Sequence, residues 1–434
     1  MMTTPGDLSL QAVSSRLRSG DLSLLDYLAE LESRFEVVEP QVHAFVPEQD
    51  RFARLREEAA RLLQQYPTAT ARPPLFGVPV GVKDIYHVDG FVTRAGSRLD
   101  SGLLQGEQSE AISRVRAAGA LILGKTVTTE FAYFAPGPTR NPHNLDHTPG
   151  GSSSGSAAAV AGGLCPLAFG TQTIGSINRP AAFCGVVGYK PSYDRISKAG
   201  ILPLSPSADH AGFFVRQAAD VAQVAQIVCG DWQPTMPDRP PVLAVPQGPY
   251  LGYASAEGLA HFEQTCTRLA EAGLALKRVP LMPNFADIVD HHKLIVAAEA
   301  ALTHAQWYAM YGDLYHPKTV ALIEEGQAVS DGALAEALAG RFELREALHS
   351  AMITEGIDLW LSPSAVGAAP RGLANTGDPV MNLPWSFAGL PSLTLPSGLS
   401  NNGLPLGLQV TGDFYQDELL LAWAPLLEKA LIAG

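Results

Sequence analysis

Charge is scarce in this sequence, and what there is leans negative. Only 17% of the 434 residues are Asp, Glu, Lys or Arg, against about 25% in an average globular chain. The 43 acidic residues outnumber the 30 basic ones, for a formal net charge of −13. Without a Lys/Arg excess the chain cannot displace counterions from a phosphate backbone, which excludes sequence-independent nucleic-acid binding. Anchoring on anionic lipid is excluded for the same reason. Long apolar runs are also missing. The longest, Ala157 to Gly170, is broken by Gly162, Gly163 and Pro166 and is shorter than the roughly 18 residues of a membrane helix. Met1 to Gly20 lacks the apolar centre of a secretory leader. The four cysteines, Cys165, Cys184, Cys229 and Cys266, form no C-x-x-C pair, so zinc-ribbon and dithiol redox motifs are absent. Scattered thiols fit small buried residues in a reducing compartment, and the expected location is cytoplasmic.

What is present is apolar residue, at 46% of the chain, together with 41 Gly and 33 Pro. That composition predicts a large core with many ordered loops. Residues 1–70 read as helices. Ser23 caps a helix with Leu24, Leu28, Leu31 and Phe35 on one face, stopped by Pro40, and Arg51 to Tyr66 repeats the pattern. From Pro73 short apolar runs alternate with helical ones. Strands are predicted at Phe76–Val82, Ala120–Leu123 and Leu164–Gly170, and helices at Ser109–Gly119 and Ala157–Gly163. Gly230–Pro241 is a Pro-bearing break that reads as a hinge between two parts of one sheet. Strand texture returns at Val242–Pro246, Leu274–Val279, Asp358–Pro363, Ser392–Pro396 and Leu406–Gly412. Helices are expected at Ala254–Ala272, over most of 284–353 and at Asp417–Ala433. Alternating elements of this kind imply an α/β fold, a central sheet covered on both faces by helices.

Two motif matches fail on context. Gly119 to Thr126 fits G-x-x-x-x-G-K-[ST], but its middle residues Ala-Leu-Ile-Leu are themselves a strand and a helix precedes Gly119, the reverse of a phosphate loop. Gly151 to Gly155 fits G-x-S-x-G, but Asn141 to Pro149 before it are loop formers, not the strand a nucleophile elbow needs. Asp287, Asp290, His291 and His292 lack a further spaced ligand, and His304 is too distant, so no metal is expected. Trp307, Tyr308 and Tyr311 read as core, and His210 is given no role.

Three segments carry chemistry together. Gly77-Val-Pro-Val-Gly-Val-Lys83-Asp84 ends an apolar strand on a lysine whose desolvated amine can act as a base. Thr148-Pro-Gly-Gly-Ser152-Ser153-Ser154-Gly155-Ser156 opens a small-residue helix. Gly170-Thr-Gln-Thr-Ile-Gly175-Ser176-Ile-Asn-Arg179-Pro180 is a turn able to aim successive N–H groups at one oxygen.

These segments resemble the signatures of the amidase signature family, and Ser152 and Ser176 stand 24 residues apart, as that signature requires. Ala117 to Thr126, Ala181 to Pro191 and Asn382 to Gly412 resemble it too. The resemblance implies one amidase domain over 1–434, with N-terminal helices (1–70), a catalytic core (71–230) and a helical lid or substrate-facing segment (284–360). It implies a Ser–cis-Ser–Lys triad: Ser176 the nucleophile, Ser152 the bridging serine in a cis peptide, Lys83 the base. It further implies an oxyanion hole from the N–H groups of Thr173, Ile174, Gly175 and Ser176, with Ser153 in support. No cofactor and no metal are expected. The partner is a small-molecule amide, and a homodimer is expected only because dimers are the commonest oligomers in general.

Three departures bear on substrate. Gln172 stands where many members have Asp, Ile174 where many have Gly or Ala, and Asn178 where many have Arg. The arginine comes one position later, at Arg179, as in malonamidase-like members. That implies a substrate carboxylate bound in bidentate fashion by Arg179. Ile174, being β-branched, resists positive φ and either reshapes the hole or narrows the pocket. The alternative is the glutaminase-type subunit of a tRNA-dependent amidotransferase complex. Its turn resembles Gly-Ser-Asp-Thr-Gly-Gly-Ser-Ile-Arg, with which Gln172, Ile174 and Asn178 disagree.

Overall fold

The computed structural model describes residues 8–432, so the first seven residues of the stretch read for a leader, and Ala433, lie outside it. The chain begins with helices α1 (Leu10–Ser19), α2 (Leu24–Val42) and α3 (Arg51–Gln65). Ser23 Oγ accepts from the Asp26 N–H, as expected of an N-cap, but Pro40 does not stop α2. It lies inside the last turn, and the helix ends where His43 turns left-handed at φ 54°. Proline forbids its own donor, not the turn that follows it.

The strand expected at Phe76–Val82 is β1 (Pro79–Lys83), displaced because Gly77 (φ 71°) makes a turn first. There follow α4 (Glu110–Ala117), β2 (Leu121–Thr126), α5 (Ser154–Ala161), β3 (Leu167–Gln172), α6 (Asn178–Cys184), β4 (Val187–Lys190), β5 (His210–Val215) and α7 (Ala218–Val228). The sequence pattern alone does not separate α1, β4, β5 and α7. The second half contains β6 (Leu243–Gln247), α8 (Ala256–Glu271), β7 (Leu276–Pro280), α9 (Phe285–Tyr311), α10 (Pro317–Gln327), α11 (Asp331–Glu355), β8 (Leu359–Pro363), α12 (Leu383–Phe387), β9 (Ser392–Leu399), β10 (Pro405–Thr411) and α13 (Asp417–Ile432).

The ten strands of the described residues belong to one mixed sheet, in the order β2-β1-β3-β5-β4-β9-β10-β8-β6-β7. The β2-β1-β3 and β8-β6-β7 flanks are parallel, and the centre from β3 to β8 is antiparallel. Strands β1 to β5 are buried at every residue while edge strand β7 is largely exposed. That pattern requires cover on both faces, and helices supply it. The 230–241 break joins α7 to β6 within this sheet.

The phosphate-loop match runs from the Gly119 turn (φ 91°) through β2, where buried Lys125 pairs with Asp84 at 2.8 Å. α5 is buried along almost its whole length and packs against β1 and β3. Its Gly155 is required by contact: a Cβ there would stand 2.2 Å from the Ala44 carbonyl oxygen. Residues 285–355 are mostly helical, as the pattern over 284–353 predicts, and α9 and α10 pack over Leu204, Ala208 and Ile174. Trp307, Tyr308 and Tyr311 are partly buried against the main core. No helix among the described residues is long and apolar enough to cross a membrane.

Candidate functional site

β1 is covered on both faces, which buries Lys83 completely at the end of the strand. Its Nζ lies 2.7 Å from Ser152 Oγ and 2.7 Å from Thr171 Oγ1. As an ammonium it donates to both. As a neutral amine it can donate to Thr171 and take the Ser152 proton on its lone pair. Burial pushes the amine well below its ordinary range, against an opposing pull from the Asp209 carboxylate. Asp209 is itself raised by burial and drawn back by hydrogen bonds from Thr173 Oγ1 (2.6 Å) and the N–H groups of Leu204 and Ser205 (2.8 and 3.0 Å).

The Gly151–Ser152 peptide is cis. Ser153 sits behind it, with its Oγ between the Thr171 N–H (3.2 Å) and carbonyl oxygen (3.1 Å), which fastens the loop to β3. A Cβ at Gly170 would come within 2.7 Å of Ser153 Oγ, so β3 needs glycine there.

Residues 173–176 form the turn after β3. None of them adopts a positive φ, so Ile174 is accommodated without the strain its branching would bring. The backbone N–H groups of Ile174, Gly175 and Ser176 donate to no acceptor among the described residues. Gly175 admits no side chain, because a Cβ would meet Asn382 Oδ1 at 2.4 Å. Ser176 keeps 7% of its surface exposed, and its hydroxyl has no partner among the described residues.

Arg179, expected at a substrate carboxylate, is 1% exposed. Its guanidinium donates to the carbonyl oxygens of Gly377 (2.6 Å) and Gly151 (2.7 Å) and to Thr376 Oγ1 (3.2 Å). The arginine thus ties α6 to the peptide preceding Ser152.

A cavity of about 990 Å³ opens beside the turn. Ile174 lines it together with Tyr133, Phe134, Val296, Leu322 and Leu383, and α9 and α10 supply part of the wall. A smaller cavity of about 270 Å³ reaches Thr171 and Asp209. Among the described residues no three His, Cys, Asp or Glu side chains gather as a metal site. His292, one of the residues considered as a ligand, is buried in α9 against the Phe387 ring, and burial pushes its pKa down to about 3.

Sequence reasoning brought Lys83, Ser152, Ser153 and the turn to one place. It missed Thr171 and Asp209. Thr171 carried a signal, since it is the first polar residue after the apolar part of β3. Asp209 stands in the Ser207-Ala-Asp-His210 loop, which carries no recognisable pattern.

Comparison with known proteins adds the family and the fold. The sequence model of the family described as Amidase matches residues 26–421. A glutamyl-tRNA(Gln) amidotransferase subunit from Synechococcus sp. (strain WH7803) is 32% identical, with 96% of this chain and 95% of that one covered. A crystal structure described as an amidase aligns with TM-score 0.88 at 31% identity, over 97% of this chain and 99% of that one. The peptide amidase from Stenotrophomonas maltophilia aligns with TM-score 0.83 at 27% identity, over 98% and 96%. The chain belongs to the amidase signature family.

Proposed function

We propose that this protein hydrolyses a small-molecule carboxamide through an acyl-enzyme on Ser176. The observation that carries the reading is the fully buried Lys83 amine, 2.7 Å from Ser152 Oγ and held toward its neutral form. A serine hydroxyl needs an adjacent base to become a useful nucleophile. As Ser176 Oγ attacks the amide carbon, its proton passes to Ser152 Oγ, and the Ser152 proton passes to the Lys83 amine. The carbonyl oxygen becomes an oxyanion facing the unpaired N–H groups of the 173–176 turn. On collapse, the lysine ammonium returns its proton through Ser152 to the departing nitrogen. The C–N bond breaks, and amine or ammonia leaves. Water then attacks the ester by the same relay and releases the acid. No step calls for a metal or cofactor.

The substrate we favour has an apolar acyl group, because apolar side chains around Ile174 form much of the large cavity. Malonamidase-like recognition of an acidic amide would have a carboxylate compete with Gly377 and Thr376 for Arg179, whose Nε alone has no partner among the described residues. The hydrogen bonds of Arg179 favour a positioning role, holding the Gly151 carbonyl and so the bridging serine. Glutaminase activity within an amidotransferase complex is the second reading, favoured by 32% identity along nearly the whole of one component of such an enzyme. Of the assembly and location expected above, a homodimer in the cytoplasm remains our proposal.

The test is hydrolysis across neutral aliphatic amides, aryl amides, malonamate-like acids and glutamine, comparing the parent with Ser176→Ala and Arg179→Ala. We expect release of amine or ammonia by the parent from apolar amides and none by Ser176→Ala. Loss in Arg179→Ala confined to acidic amides would restore carboxylate recognition. Turnover of glutamine alone, and only with partner subunits added, would establish the second reading instead.

A further inference from the structure

We infer that Ser386 is a positioning residue that aims the oxyanion-binding N–H of Gly175, with Gln172 setting the direction of its proton. The inference rests on the acyl-enzyme reading above and goes beyond its residues. Ser386 lies in α12, more than two hundred residues from the turn, and is completely buried. Its Oγ donates to the Ile174 carbonyl oxygen at 2.7 Å and accepts from Gln172 Nε2 at 2.9 Å. The other end of the same amide, Gln172 Oε1, accepts from the N–H groups of Ile177 (2.8 Å) and Asn178 (2.9 Å).

The peptide unit joining Ile174 to Gly175 is planar and trans, so its carbonyl and its N–H point in opposite directions. Pinning the Ile174 carbonyl on Ser386 therefore turns the Gly175 N–H to the other side, where it has no acceptor among the described residues. A carbonyl that accepts a hydrogen bond also makes the N–H of its own peptide a stronger donor. The proton count shows why Gln172 matters. A serine hydroxyl has one proton to give. Gln172 Oε1 is occupied by two backbone donors, so its amide must present Nε2 to Ser386, and the serine proton is left for Ile174. A carboxylate at position 172 can only accept. It would take the Ser386 proton and release the Ile174 carbonyl.

Ser386→Ala and Gln172→Glu are therefore expected to do the same thing by different routes. The assay uses an aryl amide releasing p-nitroaniline, with two inhibitors: the matching aldehyde, which adds Ser176 and places an oxyanion in the turn, and the product acid. For both variants we expect kcat to fall about 10–100-fold, below the 10²–10³-fold loss of a whole oxyanion donor. KM should stay within about threefold. Aldehyde binding should weaken by the same factor as kcat, and product-acid binding should change by less than about twofold. A merely structural role would weaken both inhibitors alike or neither. Equal weakening, or kcat within about threefold of the parent in either soluble variant, overturns the inference. Ser176→Ala run alongside separates the two failures: turnover or aldehyde capture that survives it would overturn the acyl-enzyme reading itself.

Discussion

Thr171→Val should cripple the base without removing it. Valine keeps the shape of threonine and takes away one oxygen, 2.7 Å from Lys83 Nζ. The buried amine then has an N–H with no acceptor, at a cost of about 1–3 kcal/mol. Part of that cost appears as lost stability. The rest appears as movement, because an amine without Thr171 no longer has one N–H committed and its lone pair directed at Ser152. Misplacement by about 1 Å costs roughly 10²-fold in rate, so kcat should drop about 10–100-fold. The pH profile adds a signed check. The base works when neutral, so activity rises with pH through the folded pKa of Lys83, which burial has lowered. An acceptor such as Thr171 Oγ1 favours the ammonium, so removing it lowers that pKa further and the acid limb moves to lower pH. Thr171→Ser keeps the oxygen and should stay within about threefold of the parent. Initial rates from pH 5 to 9 measure all three proteins. A Thr171→Val enzyme within twofold of the parent at every pH would refute the reasoning.

Other perturbations reach different parts of the molecule. Gly175→Ala drives a Cβ toward Asn382 Oδ1 at 2.4 Å and Pro379 Cβ at 2.8 Å. It should reduce kcat by at least about 10²-fold, costing about 1–3 kcal/mol of stability from overpacking, with urea midpoints separating the two effects. Lys125→Met strands the buried Asp84 carboxylate, 2.8 Å from the amine it loses, and should cost about 3–5 kcal/mol in denaturant unfolding. Changing both residues to apolar ones should recover much of that. His304, buried beside Phe131 and Tyr315, has its pKa pushed down to about 4 by burial. The unfolded chain binds this proton near pH 6.5, so stability falls as pH drops from about 6.5 to 4, by about 3 kcal/mol. His304→Gln should remove close to one proton from the slope of unfolding free energy against pH in that window.

Much of this protein was legible along the chain. Lys83 ends an apolar strand, Ser152 follows two glycines at the mouth of a small-residue helix, and Ser176 closes a turn of small residues. Each is a local pattern, and local patterns survive in one dimension. The same holds for the helices at 24–42 and 256–271, whose serine caps and apolar faces are read within a few turns. Boundaries went astray where local backbone geometry finer than the residue pattern set them, as at Pro40 in the last turn of α2 and at the Gly77 turn before β1.

Partnership was the tertiary structure's to decide. Asp209 meets Thr173 across 36 residues, Lys83 meets Thr171 across 88, and Ser386 meets Ile174 across 212. Nothing in the order of residues records such distances, because they follow from the strand order β2-β1-β3-β5-β4-β9. Arg179 shows the division most directly. Its residue type promised a bidentate partner, and an arginine offers the same donors to a substrate carboxylate as to a backbone carbonyl. Only the packing of α6 against the 150–152 loop and the 376–377 turn selects which oxygens it meets. The chemistry available to this chain was written in its residue types and their spacing, and the sheet decided which of those groups touch.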